Sequence, residues 1–153
     1  MKGPFLFGAL AGLVLGCALS ASAQEKGYWA ASSSTAKSIT GDISISDTKV
    51  TINFTGFIIA QIRKMGPAEV DAVFASESGG GANGNLYRLN IPAKQRFLHH
   101  NSLCGSDDAQ WMVTSVDDRT LRVAFFSGAN TPVFTSEALA NSTDLCGTFT
   151  YVR

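Results

Sequence analysis

The chain is 153 residues long, 45% hydrophobic and 16% charged, with 12 basic and 12 acidic side chains. That length holds one domain built on a single core. The balanced charge gives no reason to expect nucleic acid or an anionic membrane as the partner.

Taken in chain order, residues 1–23 read as an export leader. Lys2 precedes an apolar run from Phe5 to Leu19, then Ala21-Ser22-Ala23, an A-x-A cleavage box, and the polar Gln24. The run is short for a bilayer crossing and no basic flank follows it. Cleavage after Ala23 is expected to leave a single soluble β-domain, residues 24–153, with no transmembrane segment, periplasmic or secreted. A second route is open, because Val14-Leu15-Gly16-Cys17 resembles a lipoprotein box, which would put a lipid anchor on Cys17.

A strand is predicted from Tyr28 to Ser32. Ile39, Gly41, Ile43 and Ile45 alternate with polar residues, Asp47-Thr48-Lys49 reads as a turn, and Val50, Ile52 and Phe54 alternate in their turn, so the two segments form a predicted hairpin. Further strands are expected over Phe57–Lys64, Glu69–Ala75, Leu86–Ile91, Gln110–Val116, Leu121–Phe126 and Thr148–Val152, with Asp117-Asp118-Arg119-Thr120 as a turn. Pro92–Leu103 holds at most a turn, and Ser136 caps a short helix through Ala140. Long amphipathic helices, which parallel crossovers require, are not predicted. The expected fold is all-β: a single small antiparallel meander of about eight strands, barrel or sandwich, with at most one or two short helices.

With the leader gone two cysteines remain, Cys104 and Cys146, each in a Leu-Cys-Gly word. In an exported chain two thiols are most simply joined, and a bridge across a loop of this length contributes roughly 4 kcal/mol in the chain-entropy picture. The densest polar run, His99 to Asp108 (HHNSLCGSDD), then offers three chemistries: a metal site, a nucleophile with its base, or one end of that staple. Neighbouring histidines on an extended segment face opposite ways and share an ion poorly. A catalytic Cys104 needs a free thiolate, which pairing removes. The staple is preferred, and neither a metal nor another cofactor is expected. Asp107-Asp108 and Asp117-Asp118 read as solvated turn carboxylates rather than an acid and base pair. Gly79-Gly80-Gly81-Ala82-Asn83-Gly84 matches GxGxxG, but a phosphate site of that kind needs a following helix, and Asn85–Ile91 reads as a strand.

Two segments carry an apolar surplus. Phe57-Ile58-Ile59-Ala60-Gln61-Ile62 and Val123-Ala124-Phe125-Phe126 offer apolar groups to both faces of a sheet. A second layer covering the sheet accounts for this, and a partner surface with aromatic anchors is the functional alternative. Arg88, Lys94, Arg96, His99 and His100 make the stretch before Cys104 basic: a solvated edge, or, read functionally, a site for an anionic group with Trp111 beside it. The candidate binding residues are therefore Arg88, Arg96, His99, His100, Trp111, Phe125 and Phe126, with no catalytic or metal-ligating residue assigned.

Gly27-Tyr28-Trp29, a Gly-x-Trp opening the first strand, with Arg153 after the last, resembles the lipocalin and avidin group of small β-barrels. That resemblance implies a barrel that binds a ligand or, in related bacterial forms, inhibits an enzyme, with Arg153 covering Trp29. Thr40-Gly41-Asp42-Ile43 and Leu145-Cys146-Gly147-Thr148-Phe149 are similar to small exported proteobacterial proteins without an assigned activity. The expected function is a non-catalytic binding module of the cell envelope, taking a small ligand or an envelope protein, and more an interaction protein than an enzyme. The alternatives are a hydrolase using histidine and carboxylate groups around His99–Asp108, and a structural envelope component.

Overall fold

Eight strands run in order around a closed antiparallel barrel in the computed structural model, which describes Gly3 and residues 24–75 and 82–153. The cleavage box, Cys17 and Gly79–Gly81 lie outside the described residues. The strands are β1 (Gly27–Ala31), β2 (Ile43–Ile45), β3 (Lys49–Ile52), β4 (Thr55–Met65), β5 (Gly84–Ile91), β6 (Ala109–Asp117), β7 (Thr120–Phe126) and β8 (Leu145–Val152). Each pairs with its neighbour, and β1 closes the ring on β8 through Ala30 opposite Val152 and Ala31 opposite Tyr151. The choice between barrel and sandwich is thus resolved as a barrel. No helix among the described residues is long and apolar enough to cross a membrane.

The two-residue side-chain period fills the lumen. Trp29, Ile43, Ile45, Val50, Ile52, Phe57, Ile59, Leu89, Met112, Val123, Phe125 and Tyr151 point inward and form the main core. The end from which β5 exits is plugged by a helical turn at Ala36–Thr40 and by the loop after β5, which contributes Phe97 and Leu103 to that core. Asn101 ties the plugs together by donating to the Ser38 carbonyl at 3.2 Å. Cys104 and Cys146 stand at disulfide distance, with Cα atoms 4.9 Å apart, and so bind this loop to the start of β8.

Helices α1 (Pro67–Val73) and α2 (Ser136–Ala140) lie outside the barrel. A second core there joins Val70, Val73 and Phe74 to the outward residues Leu86, Trp111, Val113, Ala124 and Phe126, with Phe134 from the loop before α2. This outer layer explains why Val123–Phe126 is apolar on both faces: Val123 and Phe125 fill the lumen, Ala124 and Phe126 the outer core.

Three element predictions are corrected. Glu69–Ala75 is helix α1 and a turn, not a strand: Pro67 sits at the first helical position, Glu69 reaches back to the Gly66 N–H at 3.3 Å, and Val70, Val73 and Phe74 recur at helical spacing against the barrel. Ile39–Gly41 does not begin a strand, because Ala36–Thr40 forms a π-helical turn that ends at Gly41, with φ of 63°. Phe54 does not continue the inward row of β3. Asn53 and Phe54 take φ of 46° and 66° and make the tight turn into β4.

Candidate functional site

At the end of the barrel where β1 begins, the apolar inward rows give way to polar residues. On β4 the row runs Phe57, Ile59, Gln61, and on β5 it begins at Asn85 before Tyr87, Leu89 and Ile91. Gln61 donates to the Asn85 side-chain oxygen at 2.9 Å. Residues 24–26 cross this mouth. The Glu25 carboxylate accepts hydrogen bonds from the Tyr87 hydroxyl on β5 and the Thr114 hydroxyl on β6, the far side of the barrel from β1. Arg153 holds the crossing segment down: its guanidinium lies 4.2 Å from the centroid of the Trp29 ring and donates to the carbonyls of Gln24 and Lys26 at 2.6 and 3.1 Å. Trp29 Nε1 donates to the Glu25 carbonyl at 2.7 Å, so the same segment is fixed from above and below.

Beside this crossing lies a cavity of about 910 Å³, lined by Glu25, Gln61, Lys64, Asn85, Tyr87 and Ser115 among others. Lys26 and Asp47 form an ion pair on its rim. Its chemistry is that of hydrogen bonding: four side-chain amides, two hydroxyls, two carboxylates and two ammonium groups, with Met65, Ala82 and Val116 as its apolar lining. Pockets that combine a few convergent polar groups with an apolar base suit small polar ligands.

The residues singled out from sequence lie elsewhere. Arg88 and Trp111 meet as a cross-strand pair on the outer wall, with the guanidinium 4.7 Å from the indole centroid and bonded to the Gln110 carbonyl at 2.6 Å. Trp111 Nε1 donates to the Gly128 carbonyl at 3.0 Å. Arg96 is exposed and its guanidinium donates to the nearby carbonyls of Ala93 and Gln95. His99 and His100 are exposed on a short 3₁₀ turn, with φ of 55° and 60°, at the end of the barrel opposite the mouth. Phe125 and Phe126 are fully buried, in the lumen and the outer core respectively, so neither presents a surface. Asp107 and Asp108 are exposed turn residues. Among the described residues, no group of three or more His, Cys, Asp or Glu is placed to hold a metal ion.

Glu25, Gln61, Asn85 and Tyr87 were not among the sequence candidates. The available signal was the break in the inward rows, where a polar residue stands at the lumen end of two adjacent strands. The chain matches no family model, no curated protein and no solved structure.

Proposed function

We propose that this chain is an exported, non-catalytic binding module that takes a small polar ligand in the mouth beside Glu25. The observation carrying this reading is the contrast between a lumen lined with buried apolar side chains and one end that opens into a cavity of about 910 Å³ with convergent amide, hydroxyl and charged groups. Export is supported by the leader-like residues 1–23 and by two cysteines at disulfide distance. Binding is favoured over catalysis because the cysteine is engaged and both histidines lie at the opposite end of the barrel from the cavity.

The test is a thermal-shift screen of the processed protein against saccharides, amino acids, short peptides and organic acids, with wild type beside the Gln61→Ala/Asn85→Ala variant. A ligand that raises Tm in the wild type and not in the variant is expected. A panel without any stabilising compound, or one whose gains survive in the variant, overturns the assignment of the mouth.

A further inference from the structure

The outward apolar residues of β5, β6 and β7 are covered by the outer core, as is Met65 at the end of β4, whereas Ile58 and Ile62 of β4 are bare. From the turn onward, every second residue is Phe54, Gly56, Ile58, Ala60 and Ile62, a row without one polar side chain. Phe54 is 98% exposed, Ile58 79% and Ile62 51%. At the usual rise of a strand the row from Gly56 to Ile62 is about 20 Å long, with Phe54 in the turn that precedes it. It is not a strand edge, since the barrel is closed, so a partner cannot add to it by backbone pairing.

The charge around the row has one sign. Strands β3, β4 and β5 carry Lys49, Arg63, Lys64 and Arg88 and no Asp or Glu, although Lys64, opposite Asn85, lines the mouth and not this face. Lys49 stands opposite Ile58, and its stem lies across Gly56, where an added Cβ would come within 2.7 Å of the lysine Cδ. Glycine at 56 therefore lets the lysine stem lie across the apolar row. Arg88 stands opposite Ala60 on the other flank. Of these four cations only Arg63 is in an ion pair among the described residues, with Glu69. Lys94 and Arg96 follow in the loop after β5, which also carries Asp107 and Asp108, the latter accepting from the Ala93 N–H at 2.7 Å. The balanced charge of the whole chain thus conceals a local imbalance on this face.

We propose that this face docks on an anionic lipid surface, with Phe54 and Ile58 entering the interface and Lys49 and the flanking cations meeting the headgroups. Apolar groups that protrude one by one from a convex wall fit a fluid interface, which conforms to them. A protein partner would need a matching concave surface of about 800 Å². Basic residues around the wedge select for anionic lipid.

The test is co-sedimentation of the processed protein with vesicles of phosphatidylcholine alone and of phosphatidylcholine with phosphatidylglycerol. Binding to the anionic vesicles is expected, falling by about tenfold or more in Phe54→Ser/Ile58→Ser and weakening with added salt. Both positions are exposed, so an unchanged Tm serves as the folding control. Phe54→Trp is expected to bind and to shift its emission to the blue on contact with vesicles, while Gln61→Ala/Asn85→Ala binds as wild type. No binding, equal binding to neutral vesicles, or full binding by the double serine variant overturns the proposal. So does a concentration-dependent dimer that the same substitutions dissolve, which would make the face a contact between copies of this chain.

Discussion

Arg153 performs two tasks with its side chain, covering the Trp29 ring and tying down the carbonyls of Gln24 and Lys26, and a third with its backbone, whose carbonyl and N–H pair with Arg119 in the β6–β7 turn. Its planar fork is what allows stacking and donation together, which a lysine does not reproduce. Arg153→Ala should lower stability by about 1–2 kcal/mol, from one cation–π contact and two partly exposed charged hydrogen bonds. Arg153→Lys should recover less than half. Urea titration followed by tryptophan fluorescence reads both quantities, because loss of the cover admits water to Trp29 and shifts its emission to the red. A wild-type midpoint in Arg153→Ala would show that the crossing segment is held by Glu25 alone. The Trp29–Arg153 partnership is implied only by the resemblance of the Gly-x-Trp opening and terminal arginine to the lipocalin and avidin group, and the ring contact is present. The Glu25 contacts were not legible, since no local pattern ties residue 25 to residues 87 and 114.

At the scale of elements, alternation located most strands and failed where a local signal competed with it. In Glu69–Ala75 a β-like composition lost to Pro67 and to the helix start that Glu69 completes. At Asn53-Phe54 the alternation ran on through a turn, because phenylalanine is a rare occupant of positive φ and carries no turn signal. Helix α1 also carries a pH dependence. Glu69 receives both terminal nitrogens of Arg63 at 2.8 and 2.7 Å, and these bonds, helped by the Gly66 N–H, hold its carboxyl below the usual glutamate range against a smaller opposing effect of burial. A folded-state value below the unfolded one means the contribution is whole above about pH 4.3, the ordinary glutamate value, and is lost as pH falls through the depressed one. Glu69→Gln should therefore be less stable than wild type at neutral pH, and the two urea midpoints should converge as pH falls through that window. Parallel curves over the whole range would show that the Arg63–Glu69 pair adds nothing to the docking of α1.

At the scale of the whole molecule, the barrel is built from two unequal arcs. Strands β4 to β8 have 11, 8, 9, 7 and 8 residues, while β1, β2 and β3 have 5, 3 and 4. The order and direction of the strands could be read as a meander. The closure could not, because it depends on a seam between β1 and β8 whose residues are far apart in the chain. That seam has only two residue pairs, supplemented by the Ser32 and Ser33 N–H groups donating to the Thr150 carbonyl at 2.9 and 3.0 Å and by the buried 2.7 Å contact between the Thr40 and Tyr151 hydroxyls. Burial pushes the Tyr151 hydroxyl well above the ordinary tyrosine range. The Cys104–Cys146 link braces the start of β8, the end away from this seam, and does not involve β1. Opening should accordingly begin at the short arc, with β1 to β3 exchanging their amide hydrogens through a sub-global event while β5 to β7 exchange only on full unfolding. Thr40→Val removes one partner of the buried pair and leaves the Tyr151 hydroxyl unsatisfied, a cost of about 1–3 kcal/mol that falls on the seam. Native-state hydrogen exchange in low urea is the measurement: the variant should speed exchange in β1 to β3 more than in β5 to β7. Equal acceleration in both arcs would mean that the ring opens as one unit and that the short strands draw their stability from the shared core, not from the seam.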